Sequence, residues 1–266
     1  MNTFVPATSI EASGFAIGIA EDRNKRFRRT MEDSHSYVMD FDCVPQQGLF
    51  AIFDGHGGRD AAEWCGDHFH ETFLECYQRY QSTHSVPEIL EKTFLHVDDL
   101  IKDDQGRVSG CTAIVAFVQV KDSKRILYTA NVGDARAVLS HNGKAIRLSY
   151  DHKGNDAKET KRIKDSGGLV MNNRVSGLLA VTRSLGDYPL KEYVIGTPYI
   201  TETELGAKDK FLILACDGLW DVCDDQTAVK QIKKVEDAQT ASKKLLDLAI
   251  TKGTLDNVSV MVVRFT

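Results

Sequence analysis

The order of the hydrophobic patterns predicts an α+β fold, with an antiparallel sheet core and helices packed outside it. Strand-like runs come first, two amphipathic helices follow, and further strands, helices and a final strand complete the 266 residues. This order lacks the regular strand–helix alternation that is typical of parallel sheets. No internal repeat, linker or charge block divides the chain, so we expect one domain at 14–266 after a flexible tail at 1–13.

The first half of the chain begins with strands and changes to helices at Ala61. Short runs of aromatic and β-branched residues between polar or Gly/Pro breaks predict strands, which are expected at 14–22, 36–39 and 48–54. From Ala61 the apolar residues recur every three to four positions, which predicts a helix. A second helix is expected after Ser85, because Ser85 and Glu88 have the spacing of a capping box.

The second half of the chain returns to strands and ends with two helices and a strand. His141, Asn142 and Gly143 form a turn signal inside one strand-like run, which predicts a hairpin. Strands are expected at 111–120, 125–134, 135–149, 210–217 and 257–265, and helices at 155–165, 227–235 and 238–252.

Charge and hydropathy exclude several classes of protein. The chain has 33 Lys and Arg against 38 Asp and Glu, a net charge of −5, which disfavours a general attraction to nucleic acid or anionic lipid. No apolar run approaches the roughly 18 residues that a membrane span needs. We therefore expect a soluble monomer that binds neither nucleic acid nor membrane, located in the cytoplasm and with the nucleus as a second compartment.

The six cysteines predict neither disulfides nor a cysteine nucleophile. None forms a CxxC pair, and several lie inside apolar runs, so reduced buried thiols are expected. A cysteine-based phosphatase needs a phosphate-binding loop closed by Arg after its cysteine. Cys216 is followed instead by the acidic segment DGLWDV.

Acidic residues recur at the ends of apolar strands, often beside glycine. These residues are Glu32, Asp33, Asp54, Asp134, Asp217, Asp221 and Asp256. A carboxylate that directly follows a buried strand is held rigidly at the sheet edge, and an adjacent glycine allows a ligand to come close. Gathered carboxylates repel one another unless a cation neutralises them, and oxygen ligands select hard ions. The pattern predicts a magnesium or manganese centre, although a single Asp-Gly is by itself typical of a turn.

Other metals fit the sequence less well. A calcium loop counted from Asp217 would place Val222 at the sixth position and Ala228 at the twelfth, where Gly and Glu are required. Zinc is disfavoured because the acidic clusters lack paired Cys or His.

Two phosphate-related motifs are also incomplete. The strand–Gly55-His56-Gly57–helix segment resembles a dinucleotide loop, but Asp60 stands where the third glycine is required. The segment 40–44 resembles the aspartyl nucleophile motif of haloacid-dehalogenase-type phosphatases, but the chain lacks the alternating layout of that family.

Taken together, seven motifs in the same order resemble the metal-dependent type 2C Ser/Thr protein phosphatases, and especially the small fungal members. The motifs are FRRTMEDSH (27–35), FAIFDGHGG (50–58), SGCTAIVAF (109–117), YTANVGDARAVL (128–139), RVSGLLAVTRSLGD (174–187), FLILACDGLWDV (211–222) and DNVSVMVVRF (256–265). The resemblance covers the chain from about Gly14 onward. It implies a β-sandwich of two antiparallel sheets flanked by pairs of helices, with a two-metal site at one end.

The resemblance also implies roles for individual residues. Asp54 would bridge two Mg²⁺ or Mn²⁺ ions, with the Gly55 carbonyl, Asp217 and Asp256 as further ligands, Glu32 and Asp33 acting mainly through waters, and Asp134 and Asp221 holding a weaker third ion. Arg28 would bind the substrate phosphate, and His56 would protonate the departing Ser or Thr oxygen. A metal-bridging hydroxide would attack phosphorus directly. For Arg183, substrate binding and pairing with a nearby acid both stay open.

Two residues depart from the family pattern, and the substrate is less defined than the chemistry. Gly154 stands where Pro is usual, and Ser176 stands where Asn is usual, both in the segment expected to form a flap beside the site.

The intact ligand set argues against the alternative, a catalytically weak phosphoprotein-binding scaffold of the same fold. Resemblance to the small fungal members implies phosphorylated Ser/Thr proteins as substrates, and among them stress-signalling kinases.

Overall fold

Two antiparallel sheets form the centre of the protein in a computed structural model that describes residues 8–103 and 108–266. The strands are β1 (Ile10–Ala12), β2 (Phe15–Asp22), β3 (Ser34–Met39), β4 (Gly48–His56), β5 (Gly110–Lys121), β6 (Lys124–Val132), β7 (Arg136–His141), β8 (Lys144–Arg147), β9 (Val170–Met171), β10 (Arg174–Val175), β11 (Leu185–Gly186), β12 (Tyr199–Leu205), β13 (Asp209–Ala215) and β14 (Val258–Phe265). The helices are α1 (Asp60–Tyr80), α2 (Val86–Asp103), α3 (Ala157–Asp165), α4 (Asp217–Trp220), α5 (Asp225–Ile232) and α6 (Ala238–Thr251).

The two sheets face each other across an apolar core. The first sheet has the strand order β1-β2-β14-β13-β7-β8, and the second has the order β12-β6-β5-β4-β3 with β11 beside β5. Buried side chains such as Phe15 and Met261 of the first sheet and Phe50 and Ile114 of the second belong to the core cluster between them. Alternate residues of each strand therefore point into this shared core, as in other β-sandwiches.

Helices cover the outer faces of both sheets. The α1–α2 pair contributes Phe69, Phe73 and Phe94 to a second core cluster on the outer face of the second sheet. The helices α4, α5 and α6 form the corresponding cluster on the first sheet. Here α6 packs against β2 with almost no space between the backbones. A Cβ atom on Gly18 would be only 2.1 Å from the carbonyl oxygen of Ala238. The α+β sandwich with flanking helix pairs predicted from the sequence is confirmed.

A small subdomain beside the sandwich corresponds to the predicted flap. It consists of α3 and the β9–β10 hairpin, and it has its own small cluster of buried apolar residues, Ile163, Val175 and Val194. Asp156 begins α3, because its carboxylate accepts hydrogen bonds from the backbone N–H groups of residues 158 and 159. The flap hairpin therefore packs partly on α3, since Ile163 of α3 and Val175 of β10 share this cluster.

The structure differs from the sequence-based expectations at three places. Residues 10–12 of the predicted tail form β1, which pairs with β2, whereas 1–7 lie outside the described residues. The helix predicted at 227–235 begins at Asp225, because the Asp224 side chain accepts a hydrogen bond from the Thr227 N–H. Cys43 is exposed, while the other five cysteines are buried as free thiols. Among the described helices, none is both long and apolar enough to cross a membrane.

Candidate active site at one end of the sandwich

Antiparallel pairing brings the acidic strand ends to one end of the sandwich. In the second sheet, the start of β3 lies beside the end of β4, where Ser34 pairs with Phe53, so Asp33 and Asp54 are neighbours. In the first sheet, the start of β14 lies beside the end of β13, where Val260 pairs with Ala215. The chain passes from β6 in the second sheet to β7 in the first at this same end. The connecting residue Asp134 therefore lies near the acidic strand ends of both sheets.

Three carboxylates from three separate segments of the chain meet at this end. Asp54, Asp134 and Asp217 each offer an oxygen, and these oxygens all lie within 4.8 Å of one another. Burial, together with the negative charges of neighbours that include Asp33 and Asp217, raises the pKa of Asp54 well above its usual value. Burial and the charges of Asp134 and Asp221 raise the pKa of Asp217 in the same way. These carboxylates are thus strongly destabilised as bare anions.

The same group of acids satisfies the requirements of a hard divalent cation. Burial is the main cause that raises the pKa of Asp33 to about 7, and its Oδ2 atom is buried without a hydrogen-bond partner among the described residues. A cation would supply both the missing partner and the missing positive charge. The donor set consists of oxygen atoms, which suits Mg²⁺ or Mn²⁺. The residues present therefore fit the metal centre that the sequence predicts.

Cys216 also lies in this cluster, but its chemistry does not suit such an ion. Its Sγ comes within 4.8 Å of ligand atoms of Asp33 and Asp54. Burial, followed by the charges of these carboxylates, raises the pKa of the thiol well above its usual value. Sγ donates to the Asn257 carbonyl and accepts from the Ser259 N–H. Cys216 is therefore a neutral packing thiol beside the acids.

Glu32 and Gly55 lie at the rim of the acidic cluster. The Glu32 carboxylate accepts hydrogen bonds from Thr30 Oγ1 and, at 3.3 Å, from the Gly58 N–H. Its backbone carbonyl packs directly against Gly55, where a Cβ atom would be 2.3 Å from that oxygen. Only glycine allows this close approach, so the backbone of residue 55 can lie beside the acidic cluster.

Arg28 forms an ion pair with one of the predicted metal ligands. Its Nη2 contacts Asp256 Oδ2, and its Nε donates to the Leu255 carbonyl. Asn257 fixes the loop that carries Arg28, because its side chain accepts from the Glu32 N–H and donates to the carbonyls of residues 23 and 30. About half of the Arg28 side chain remains exposed to the cleft.

A lysine lies between the two acids that were predicted to hold a weaker third ion. Lys153 Nζ is 3.1 Å from Asp134 Oδ2 and 3.0 Å from Asp221 Oδ1. Burial opposes the charge on this amine, yet the two carboxylates raise the pKa of Lys153 above its usual value. The ammonium group therefore occupies the space between Asp134, which is buried, and Asp221, which is largely exposed.

His56 ends β4 and contacts a second carboxylate. Its Nε2 is 2.7 Å from Asp187 Oδ2, and about a quarter of its side chain is exposed. The ring lies in the cleft together with Asp54 and Arg28. The predicted proton donor is therefore next to the acidic cluster and on the same side as the predicted phosphate ligand.

The cleft around these groups has a volume of about 330 Å³, enough for a phosphorylated side chain. Besides the predicted residues, it is lined by Thr112 and by Arg174 of the flap hairpin. Thr112 Oγ1 is buried without a partner in the part of the chain that the structure describes. Arg174 donates to the Leu178 carbonyl, which keeps its guanidinium at the mouth of the cleft.

Arg183 is held away from the cleft by an acid. Its Nη2 and Nε contact the two oxygens of Glu159 at 2.7 and 3.0 Å, and its Nη1 donates to the Thr197 carbonyl. Glu159 also pairs with Arg162, and these hydrogen bonds lower the pKa of the Glu159 carboxyl to about 2 despite its burial. Of the two alternatives left open for Arg183, the structure shows the ion pair with a nearby acid.

Sequence reasoning missed Lys153, Asp187, Glu159 and Arg174. Arg174 begins the motif at 174–187, whereas Lys153 lies outside the seven motifs, and in neither case does the spacing indicate what the residue contacts. Asp187 ends the motif RVSGLLAVTRSLGD, and an acid beside glycine at that place was an available signal.

Comparisons with known proteins agree with this site. A family model described as Protein phosphatase 2C matches residues 17–258. Protein phosphatase 2C homolog 1 of Saccharomyces cerevisiae is 47% identical over 262 residues, which cover 94% of this chain and 93% of that protein. The Schizosaccharomyces pombe protein of the same name is 44% identical over 260 residues, covering 96% of this chain and 75% of that protein.

A solved structure has the same fold. The serine-threonine phosphatase 2C from Toxoplasma gondii matches with a TM-score of 0.81, covering 98% of each chain at 20% identity. The alternative of a catalytically weak scaffold finds no support in these similarities. The chain therefore belongs to the protein phosphatase 2C family of metal-dependent protein serine/threonine phosphatases.

Proposed function

We propose that the cleft hydrolyses phosphoserine and phosphothreonine in proteins with two firmly bound Mg²⁺ or Mn²⁺ ions and a weaker third ion. The observation that carries the proposal is the convergence of Asp54, Asp134 and Asp217 within 4.8 Å in the cleft that Arg28 and His56 also line. Asp54, Asp217, Asp256 and the Gly55 carbonyl would hold the two ions, with Glu32 and Asp33 around them. When bound, these ions would supply Lewis-acid chemistry, activating water and neutralising charge on the phosphoryl oxygens.

Arg28 binds the phosphate of the substrate in this proposal. A guanidinium matches two phosphoryl oxygens with parallel N–H donors. The contact with Asp256 supports a linked exchange, because a carboxylate that is neutralised by a cation no longer competes for the arginine. The half-exposed side chain needs only a small movement to face a phosphate in the cleft.

His56 donates a proton to the departing Ser or Thr oxygen. This alkoxide is strongly basic, so protonation as the P–O bond breaks removes a large part of the barrier. Two observations support this role for His56: it lies two residues after Asp54 at the end of β4, and its ring is exposed in the cleft.

The third ion would be held by Asp134 and Asp221. Its weakness follows from the ammonium group of Lys153, which lies between the same two carboxylates and must be displaced from at least one of them. An ion with few protein ligands also keeps more of its waters and binds less tightly.

Hydrolysis of a phosphothreonine peptide tests this function. Turnover should require Mg²⁺ or Mn²⁺ and stop with EDTA. Asp54→Asn and Asp217→Asn should each remove most of the activity while the circular dichroism spectrum stays unchanged. Asp67→Asn, an exposed acid on α1, is the matched control and should retain full activity. Full turnover in EDTA would overturn the two-ion proposal.

The substrates proposed are phosphorylated kinases of stress-signalling pathways, on the resemblance to the small fungal members. Phosphoproteomics after acute loss of the protein, with the Asp54→Asn variant as control, tests this proposal. Phosphosites that accumulate in both cases on proteins other than kinases would contradict it.

A further inference from the structure

We propose that Asp187 is a positioning residue that fixes the ring of His56 for proton donation. The proposal rests on the function proposed above for His56. It starts from the 2.7 Å contact between His56 Nε2 and Asp187 Oδ2, made by two residues that are 131 positions apart in sequence.

Three adjacent strands create this contact. His56 of β4 pairs with Gly110 of β5, and Gly110 pairs on its other side with Gly186 of β11. Asp187 directly follows β11, so its side chain can reach across β5 toward His56. Gly110 is essential for this path, because a Cβ atom there would be 2.2 Å from the carboxylate of Asp187. The sheet is thus built without a side chain at the one position that would separate the two groups.

The Asp187 carboxylate is buried, and within the described part of the chain its side-chain hydrogen bonds are those with Ser184 and His56. Ser184 Oγ donates to the same oxygen that contacts His56, and the Asp187 N–H donates to the Ser109 carbonyl. The residue precedes a short 3₁₀ turn, yet its side chain does not cap that turn. Its side chain is 8% exposed. The carboxylate is therefore kept in a buried position for its contacts with Ser184 and His56.

Helix α2 supports the loop that carries Asp187. Asp98 accepts a hydrogen bond from the Gly186 N–H at 2.8 Å and pairs with Lys191 Nζ at 2.9 Å. These contacts hold the backbone on both sides of Asp187 against the helix. The φ angle of 55° at Asp187, in the left-handed region, is maintained by this support.

The chemistry of a carboxylate decides which ring nitrogen faces the substrate. An ionised carboxylate only accepts hydrogen bonds, so Nε2 must carry a hydrogen. Nδ1 has no hydrogen-bond partner among residues 8–103 and 108–266, so it is the ring nitrogen that remains available to the substrate. In the reaction, the ring with hydrogen on both nitrogens, after taking a proton from solvent at Nδ1, would give that proton to the departing oxygen as the P–O bond breaks. The cationic ring would thereby become neutral, with Nε2–H still bonded to Asp187.

Removal of the Asp187 carboxylate should therefore cause a partial loss of proton donation by His56. With saturating Mn²⁺, we expect Asp187→Ala to lower kcat on a phosphothreonine peptide about 10- to 100-fold. Turnover of p-nitrophenyl phosphate, whose leaving group needs no proton, should change less than about threefold. Asp187→Asn, which can still accept a hydrogen bond from Nε2–H, should lose less than Asp187→Ala. In the His56→Ala background, Asp187→Ala should cause no further loss on the peptide.

A second pair in the protein provides a matched control. His141 Nδ1 and Asp209 Oδ1 are 2.8 Å apart, Asp209 is similarly buried, and the pair joins the end of β7 to the start of β13. Asp209→Ala should lower the melting temperature without changing the ratio of peptide to aryl phosphate turnover. Equal losses on both substrates in Asp187→Ala, or an additional loss in the double variant, would overturn the proposal.

The ring itself can be observed without turnover. In ¹⁵N-histidine NMR spectra, with the signal assigned from the His56→Ala variant, the wild type should show the Nε2–H form and Asp187→Ala should show a mixture. If His56→Ala lowers turnover of the phosphopeptide and of p-nitrophenyl phosphate equally, the proposed proton donation is wrong. The NMR measurement still tests whether Asp187 positions the ring. A ring that keeps its Nε2–H form in Asp187→Ala would overturn the inference.

Discussion

Two basic side chains lie against carboxylates that the family pattern assigns to metal ions. Arg28 contacts Asp256, and Lys153 lies between Asp134 and Asp221. The Arg28–Asp256 and Lys153–Asp221 contacts are partly open to solvent, where an ion pair contributes little stability and exchanges easily, whereas Asp134 is buried. Cations and phosphate can therefore compete for these groups at a small cost in free energy.

Replacing Arg28 should weaken substrate binding more than chemistry. We expect Arg28→Ala to raise KM for a phosphopeptide about tenfold or more, because a hydrogen bond to a charged group contributes roughly 1.5–3 kcal/mol. The value of kcat should stay within about threefold if the contact is equal in ground and transition states. Steady-state kinetics measures both, with the neighbouring exposed Arg29→Ala as control. A large fall in kcat with unchanged KM would show that the contact forms only in the transition state.

Replacing Lys153 should strengthen the weakest ion site. Without the ammonium group, Asp134 and Asp221 lose their internal counterion, so we expect Lys153→Met to raise the affinity of the weakest Mn²⁺ ion roughly two- to fivefold. Isothermal titration calorimetry measures this directly. Asp134→Ala should abolish the weak phase and keep the tight ones, and Lys161→Met, which removes an exposed pair with Asp165, should change neither. Weaker binding in Lys153→Met would show that the lysine supports the site.

At the scale of elements, the flap carries both departures from the family pattern. Ser176 has a φ angle of 52°, a conformation that Asn adopts more readily than Ser. The N–H of Gly154 donates to the Ala180 carbonyl, and a Cβ atom at residue 154 would be 2.0 Å from the carbonyl oxygen of Asn173. A proline at that position would lose the hydrogen bond and collide with the hairpin, so this chain has a flap that fits glycine.

The two positions should respond to substitution in opposite directions. Ser176→Asn should increase the free energy of unfolding by about 0.5 kcal/mol, since it relieves part of the left-handed strain. Gly154→Ala should decrease it by about 1–3 kcal/mol through the clash with the hairpin. Denaturant unfolding checks both changes. A Gly154→Ala variant as stable as the wild type would mean that the hairpin moves aside freely.

The length and regularity of an element decided how well it could be predicted. The long strands β4, β5 and β14 and the helices α1 and α6 have clear hydrophobic periods. Several of the acids predicted to bind metal lie at or next to the ends of long strands. The four-residue helix α4 and the two-residue strand β11 are too short to show a period. The contact between His56 and Asp187 depends on β11, and the contact of Arg183 with Glu159 depends on how α3 packs, so neither could be inferred from spacing.

At the scale of the whole molecule, the acidic cluster joins the two sheets. Asp54 belongs to the second sheet, whereas Asp217 and Asp256 border strands of the first. Bound cations would hold these groups together, and without cations the carboxylates repel one another across the end of the sandwich. Global stability should therefore depend on both divalent ions and protons.

This repulsion gives the metal-free protein a defined pH dependence. Burial raises the pKa of Asp33 to about 7 and those of Asp54 and Asp217 well above normal, so the folded state holds protons that the unfolded state releases near pH 4. Their contribution to stability is greatest at low pH and is lost as the pH rises through about 7. In EDTA we expect the melting temperature to fall from pH 6 to pH 8.

Two controls accompany this measurement. Saturating Mg²⁺ should raise the melting temperature at pH 8 and flatten the pH dependence, because the ions replace the protons. Asp33→Asn should flatten part of the dependence in EDTA. A melting temperature that rises from pH 6 to pH 8 in EDTA would contradict the assigned direction.

The central place of β14 has a consequence for how the protein is made. This strand follows all the others in the chain, yet it lies between β2 and β13 and pairs with both. While the ribosome is still translating the region before β14, the first sheet has two open edges that cannot yet close on each other. Asp256 emerges together with this strand, so a nascent chain lacks a complete acidic cluster until the sheet can close. We therefore expect no phosphatase activity before β14 has been synthesised, and the open edges at β2 and β13 are the surfaces that need protection from aggregation during that interval.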